Sequence, residues 1–217
     1  MLSADERARC SRLLTASARR RCVGARLLSR SVLAERAGTD PARLSFTVGA
    51  FGRPELRPNP WRLRFNLTHS EGLIACAVTA DLPCGIDAER TPAAADLVRY
   101  GAERFAPAER ARLDALGSGA STAFVDMWVL KEAYTKALGL GFQYRFDGFS
   151  LMADSRGAVA LDDPRVPEAE AARWAFSLAT MPTGHRLALA VRYRTALHER
   201  ARVPVRAFPD GSVLSLL

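Results

Sequence analysis

The sequence predicts an α+β protein in which helices followed by strands occur twice along the chain. Apolar residues recur at helical spacing in residues 5–37 and again in residues 121–138. Shorter apolar or alternating stretches, typical of strands, follow each of these helical regions. The chain has 217 residues, enough for one large domain or two small ones. We therefore expect two related α+β halves, residues 1–82 and residues 83–217.

The first half is predicted to begin with two helices in residues 5–37, broken around residues 15–19 and ended by Gly38. Residues 44–64 are interrupted by glycines and prolines and predict a strand and loops. A hairpin should follow. Its two strands are residues 65–69 and 73–78, and its turn is the intervening Ser-Glu-Gly.

The second half is predicted to open with a short strand at residues 84–89, before a helical section at residues 94–116. A Gly-Ser-Gly loop precedes a strong helix, residues 121–138, which Gly139 and Gly141 end. Further extended segments are predicted at 146–152, 158–161, 174–179 and 186–194. The apolar tail, residues 203–217, is expected to pack over the body.

Composition indicates an ordinary globular protein, with 48% hydrophobic and 25% charged residues. No apolar run approaches the roughly 20 residues that a membrane-spanning helix needs. The first residues include acids and no apolar signal core, so we expect a cytoplasmic protein without a membrane segment. The four cysteines show no paired short spacing, which predicts reduced thiols and neither a zinc site nor a disulfide: Cys10, Cys22, Cys76 and Cys84.

The formal net charge of +8 points to an anionic partner. A nucleic acid is one candidate, and a phosphorylated small molecule or an acidic protein are others. The basic residues are spread along the chain, with one run at residues 19–21, and no nucleic-acid-binding motif accompanies them.

Lysine is confined to one short stretch. Only Lys131 and Lys136 are lysines among the 31 basic residues, and both lie in the helix predicted at residues 121–138. Lysine is a compact point charge, whereas arginine is a planar fork that stays protonated. Because almost every other basic residue is arginine, these two lysines indicate that charge geometry or proton transfer matters in this helix.

Three acidic residues are candidate metal ligands. On a helical wheel, Glu132 lies between Trp128 and Lys136, with Lys131 on the flank of the same face. Asp87 and Glu89 are two apart, so in a strand both side chains point to one side. Carboxylate oxygens with open positions suit Mg²⁺ that also binds phosphates. The alternatives are a solvated strand end and an ordinary Glu–Lys pair one helical turn apart.

His69, at the end of the segment 65–69, can grip a phosphate together with Thr68, although a lone histidine is more often structural. The segments 65–69 (FNLTH), 85–89 (GIDAE) and 128–139 (WVLKEAYTKALG) together resemble the 4′-phosphopantetheinyl transferases. The resemblance is to the larger single-chain type, exemplified by Sfp, in which two similar α+β halves form a pseudo-dimer. In each half a small antiparallel sheet packs on a long helix.

The resemblance implies an enzyme that moves the 4′-phosphopantetheine arm of coenzyme A onto a serine of an acyl or peptidyl carrier protein. Adenosine 3′,5′-bisphosphate is the leaving group. Asp87, Glu89 and Glu132 would hold Mg²⁺, with Mn²⁺ as a possible substitute. Glu132 would also act as general base. Lys136 would stabilise the departing bisphosphate, and Lys131 would hold the phosphates.

Further contacts to coenzyme A are implied by the same resemblance. Thr68 and His69 would touch its phosphates, Gly52 and Arg53 would form a phosphate-binding turn, and Arg9 would reach the 3′-phosphate.

A monomer is expected, because both halves are already in one chain, and polyketide or nonribosomal peptide biosynthesis is the expected setting. Two alternatives stay open: another Mg²⁺-dependent phosphoryl-transfer enzyme acting on nucleotides, and a basic nucleic-acid-binding module.

Overall fold

The computed structural model describes residues 2–49, 52–154, 157–196, 205–206 and 213–214 of the chain. Most of the predicted C-terminal tail lies outside these residues. Within them, no helix combines the length and apolar character needed to cross a membrane.

The described residues of the first half hold two α-helices, a 3-10 turn at Pro41–Arg43 and four strands. Helix α2 is much longer than α1, and Gly38 in the left-handed conformation ends it, as the sequence predicts. Strands β1 and β2 form one antiparallel hairpin, and β3 and β4 form a longer one. The bounds are α1 Ala4–Ser11, α2 Ala16–Ala37, β1 Phe46–Val48, β2 Pro54–Leu56, β3 Leu63–Ser70 and β4 Leu73–Ala80.

In the part of the second half that the structure describes lie four α-helices and the remaining strands. The helical section predicted at residues 94–116 is two helices, and the Gly-Ser-Gly loop is a turn of 3-10 helix. The bounds are β5 Cys84–Arg90, α3 Ala95–Ala102, α4 Pro107–Leu116, α5 Ala120–Leu138, β6 Ser150–Ala153, β7 Val159–Asp162, α6 Glu168–Ala171, β8 Trp174–Thr180, β9 His185–Arg192, β10 Val205–Arg206 and β11 Val213–Leu214.

Each half has a small antiparallel sheet packed on a long helix, which confirms the predicted α+β class. In the first half, α2 packs on the β3–β4 hairpin. In the second half, α5 packs on a sheet of order β5-β9-β8. The halves meet where β3 lies along β5, and there the backbone N–H of Ile86 donates to the Asn66 side-chain oxygen at 3.0 Å.

Helices α1 and α2 are joined by a disulfide between Cys10 and Cys22, whose Cα atoms lie 5.6 Å apart. The expectation of four reduced cysteines is therefore wrong for this pair. The two residues are 12 positions apart, and they meet because the chain turns back between the helices. The spacing of the two cysteines in the sequence gives no sign that they form a disulfide. Cys76 and Cys84 are free thiols, as predicted.

The contact between α5 and β5 is unusually close at Gly85. A Cβ atom built on Gly85 would lie 2.0 Å from the carbonyl oxygen of Ala133 and 2.5 Å from the backbone nitrogen of Ala137. Both atoms belong to the α5 backbone, which cannot move aside as a flexible side chain can. Glycine at this position therefore lets the helix lie directly on the strand.

Replacing Gly85 by alanine should destabilise the protein by at least the roughly 1–3 kcal/mol typical of overpacked cores, because the methyl group collides with the α5 backbone. Urea unfolding monitored by circular dichroism measures this change. Gly119→Ala is the matched control: its φ is −78° and the nearest atom to an added Cβ is Leu116 Cβ at 3.9 Å, so its stability should be unchanged or slightly higher. Equal unfolding free energies for the two variants would contradict the close approach.

Candidate active site

Asp87 is the centre of the candidate site, on the side of β5 that faces α5. Its Oδ1 accepts hydrogen bonds from Lys136 Nζ at 2.5 Å and from the Thr68 hydroxyl at 2.9 Å. Lys136 also donates to the backbone carbonyl of Ile86 at 3.3 Å. Asp87 and Thr68 are buried, whereas the Lys136 side chain stays 26% exposed. The ammonium therefore lies at the boundary between the carboxylate and solvent.

Glu132 and Glu89 lie close enough to Asp87 to change each other's ionisation. Burial raises the pKa of Glu132 to about 7, repulsion by Asp87 and Glu89 acts in the same direction, and Lys136 opposes it. Burial likewise raises the pKa of Glu89, with a further contribution from Asp87, while a hydrogen bond from Ser70 lowers it. The three carboxylates predicted from the sequence thus lie within electrostatic range of one another and of Lys136.

Two carboxylate oxygens in this cluster are buried without a hydrogen-bond partner: Asp87 Oδ2 and Glu132 Oε1. An unpartnered buried carboxylate oxygen is unfavourable, and a hard divalent cation is one way to satisfy it. The donor chemistry therefore fits Mg²⁺. The side chains are not already arranged around an ion, since the described part of the chain holds no group of three or more potential ligands placed to bind a metal.

Hydroxyl groups of β3 hold two of the three carboxylates. Thr68 holds Asp87, and the Ser70 hydroxyl donates to Glu89 Oε2 at 3.1 Å. Thr68 and Ser70 are two residues apart, like the two carboxylates they hold. His69 lies between them, so its side chain points to the opposite side of β3, where it is exposed. Thr68 and His69 therefore face opposite sides of β3, and their expected contacts to phosphates stay a prediction.

Arg53 makes three backbone contacts in the structure, and its expected phosphate contact stays a prediction. Its guanidinium donates to three backbone carbonyls, those of Lys136 at 2.9 Å, Phe65 at 3.0 Å and Cys84 at 3.3 Å. Arg53 thereby links β3, β5 and the end of α5. The preceding Gly52 has a φ of +81° in the turn between β1 and β2, and this conformation explains a glycine there.

Lys131 does not reach the carboxylate cluster, and the expectation that it holds phosphates is not supported. Its side chain is fully buried, and Nζ lies 2.8 Å from Glu109 Oε2. Burial lowers the pKa of Lys131 and raises that of Glu109, and the charge of each partner opposes the shift in the other. A helical step of about 100° separates adjacent residues, so Lys131 and Glu132 point in different directions.

Arg9 is exposed at the end of α1, where it lines a cavity of about 390 Å³ between α1, α2 and β1. Arg26 and Arg30 of α2 also line this cavity. Arg30 forms an ion pair with Glu6 at 2.8 Å, and burial lowers the pKa of Arg26. Asp5 and Glu6 line the cavity as well, so its three arginines exceed its acids by one and the concave surface is weakly basic.

Sequence reasoning missed two sets of contacts: the hydroxyls that hold the carboxylates, and the carboxylate that holds Lys131. Thr68 is expected at a phosphate and Ser70 in a turn, whereas both hydroxyls donate to carboxylates of β5. Their two-residue spacing, repeated in Asp87 and Glu89, was the available signal. Glu109 carries no local signal, because its partner Lys131 is 22 positions away in the sequence and meets it only through helix packing.

Comparison with known proteins places these features in a family. The profile of the 4′-phosphopantetheinyl transferase superfamily matches residues 83–191, half of the chain. A 4′-phosphopantetheinyl transferase of Bacillus subtilis is 32% identical over 165 residues, which cover 75% of this chain and 71% of that protein. The 4′-phosphopantetheinyl transferase HetI of Nostoc is 36% identical over 143 residues, covering 64% of this chain and 60% of that protein.

Among solved structures, a holo-(acyl-carrier-protein) synthase from Bacillus anthracis in complex with CoA (3′,5′-ADP) aligns with a TM-score of 0.43 and 22% identity. The alignment covers 51% of this chain and 96% of that one. The sequence relationships are the decisive ones: half of the chain matches the family profile, and a relative 32% identical covers three quarters of it. The chain therefore belongs to the 4′-phosphopantetheinyl transferase superfamily.

Proposed function

We propose that the protein transfers the 4′-phosphopantetheine arm of coenzyme A to a serine of an acyl or peptidyl carrier protein, and that it does so as a Mg²⁺-dependent monomer. One observation carries this proposal besides the family. Asp87, Glu89 and Glu132 come together beside the ammonium of Lys136, and two of their oxygens are buried without partners. Such a cluster is suited to a cation-bound diphosphate.

In the proposed reaction, the serine oxygen attacks the phosphorus that carries the pantetheine arm. A phosphodiester forms at the serine, and the bond to the 5′-phosphate of adenosine 3′,5′-bisphosphate breaks. Negative charge builds on that leaving phosphate. Lys136 is the basic side chain hydrogen-bonded to Asp87, and it is partly exposed, so its ammonium can turn towards the leaving group and stabilise it.

Glu132 is the proposed general base. Its Oε1 is buried without a hydrogen-bond partner, so a lone pair on this oxygen is available for a proton. The carboxylate takes the serine proton as the new bond forms. Asp87, Glu89 and Glu132 are the residues that would hold Mg²⁺, which would neutralise charge on the phosphoryl oxygens.

Basic residues outside the cluster fit the other parts of the two substrates. Coenzyme A is a polyanion, and Arg9 and Arg26 line a basic cavity that suits its 3′-phosphate. Carrier proteins of this kind are usually acidic, and the net charge of +8 would raise their rate of encounter with the enzyme. Moderate salt should therefore slow the reaction mainly through binding.

Mass spectrometry of an apo carrier protein incubated with the enzyme, coenzyme A and Mg²⁺ tests the proposed function. The carrier should gain one phosphopantetheine group, and adenosine 3′,5′-bisphosphate should appear in equal amount. Consumption of coenzyme A without modification of the carrier would instead favour a nucleotide-directed phosphoryl-transfer enzyme. No reaction, with salt-sensitive binding to nucleic acid, would favour the basic binding module.

Lys136→Arg should lower kcat at least about tenfold, because a planar guanidinium cannot keep the contacts of the ammonium to Asp87 and Ile86 while following the leaving group. Steady-state kinetics with a carrier protein measure the change. Arg36→Lys, at an exposed position near the end of α2, is the matched control and should leave kcat unchanged. Near-normal turnover of the Lys136→Arg enzyme would refute the role given to Lys136.

Removal of divalent metal with a chelator should abolish transfer, and added Mg²⁺ or Mn²⁺ should restore it, because the phosphoryl charge is then neutralised again. Mn²⁺ should also raise the melting temperature of the wild-type protein, since a ligand that binds only the folded state stabilises it. In the Asp87→Asn variant, the activity restored by metal and the rise in melting temperature with Mn²⁺ should both be largely lost. Full activity in the chelator, or the same stabilisation of Asp87→Asn and wild type, would argue against a metal at this cluster.

A further inference from the structure

The buried lysine of α5, Lys131, is enclosed by three acceptors. Nζ lies 2.8 Å from the Phe146 carbonyl oxygen, 2.5 Å from the Phe149 carbonyl oxygen and 2.8 Å from Glu109 Oε2. An ammonium has three N–H groups, so each can meet one acceptor. The ring of Phe149 lies 3.9 Å from Nζ, measured to its centroid, and closes another side of this cage.

The cage accounts for lysine at this position in an arginine-rich chain. Its acceptors converge on a single nitrogen. A guanidinium spreads five N–H groups over a plane and is larger, so it cannot meet the same three acceptors from one point. The side chain is 0% exposed, which leaves no room for arginine to extend into solvent.

Glu109 connects the cage to two further elements. Its Oε1 accepts from the backbone N–H of Leu151 in β6 at 3.0 Å, and its Oε2 accepts from the backbone N–H of Ala106 at 3.1 Å, at the beginning of α4. The carboxylate is fully buried like its partner. Lys131 and Glu109 therefore tie α5 to α4, to β6 and to the turn that precedes β6.

The direction of Lys131 determines the direction of its neighbours on α5. Side chains on a helix are held at fixed angles, about 100° for each residue, so a helix that cannot rotate at Lys131 cannot rotate at Glu132 either. Lys136 follows one turn after Glu132 and points to nearly the same side. The cage thus fixes the rotation of α5 about its own axis, on the side of the helix away from the carboxylate cluster.

We propose that Lys131 and Glu109 are positioning residues that hold α5 in the rotation at which Glu132 and Lys136 face Asp87. The kinetic part of its test rests on the proposed function, whereas the positioning itself is argued from the contacts of Lys131 and Glu109. A buried ion pair is a poor way to gain stability, because desolvation offsets much of the attraction, and an apolar pair of similar size often does as well. A pair that also satisfies four backbone groups, two carbonyls through Lys131 and two N–H groups through Glu109, is better suited to set a unique geometry.

The test compares Lys131→Arg and Glu109→Gln with Leu33→Ala, which removes a fully buried side chain from the separate core of α2 and the first-half strands. Binding of Mn²⁺ alone is measured by water-proton relaxation, together with melting temperature and the kcat and KM of transfer. Lys131→Arg and Glu109→Gln should raise the Kd for Mn²⁺ about tenfold to a hundredfold, as changes to residues that support metal ligands do. Their kcat should fall while the KM for the carrier protein stays close to that of wild type.

Leu33→Ala should lower the melting temperature and leave the Kd for Mn²⁺ within about twofold of wild type, because it removes packing without touching α5. The proposal is overturned if folded Lys131→Arg or Glu109→Gln binds Mn²⁺ like wild type, or if Leu33→Ala weakens binding equally. It is overturned as well if wild type binds no Mn²⁺. If Lys131→Arg fails to fold, the result for Glu109→Gln decides the test, because glutamine keeps the shape of the glutamate side chain. If wild type transfers no phosphopantetheine but the Mn²⁺ binding of all variants is as expected, only the proposed function is refuted.

Discussion

The site depends on how closely α5 lies on β5. Gly85 allows the backbone of the helix to touch the strand, and no other residue type has room there. That contact brings side chains of α5 within reach of a carboxylate on β5, so a 2.5 Å ion pair can form between Lys136 and Asp87. With a larger separation the same residues would face one another across water, where their interaction is weak.

The second constraint comes from the first half of the chain. Thr68 and Ser70 of β3 hold the carboxylates of β5, and Asn66 accepts from the backbone of the same strand. Arg53 adds a further link, from the β1–β2 turn to the end of α5. Residues of the first half thus hold carboxylates that belong to the second half, and the site is complete only when the halves are packed together.

Much of this arrangement could be predicted from the sequence, because it follows local rules. Hydrophobic periodicity predicted α5 and the β3–β4 hairpin, and the glycines predicted where helices end. The two-residue spacing of Asp87 and Glu89 predicted carboxylates on one side of a strand. The phosphate role expected for Lys131 follows from the family resemblance and from its place on the flank of the Glu132 face, and neither reveals a partner outside the helix. That partner is Glu109, 22 residues earlier in the chain, and only helix packing brings the two side chains together.

The disulfide between α1 and α2 has a practical consequence. Cys10 and Cys22 join the helices that line the basic cavity in the first half, and α1 is only eight residues long. A helix of that length holds little structure by itself. Purification with a thiol reductant and purification without it would then yield two forms of the enzyme that differ in how firmly Arg9 is held. Kinetic constants for coenzyme A should be compared only between samples of known thiol content.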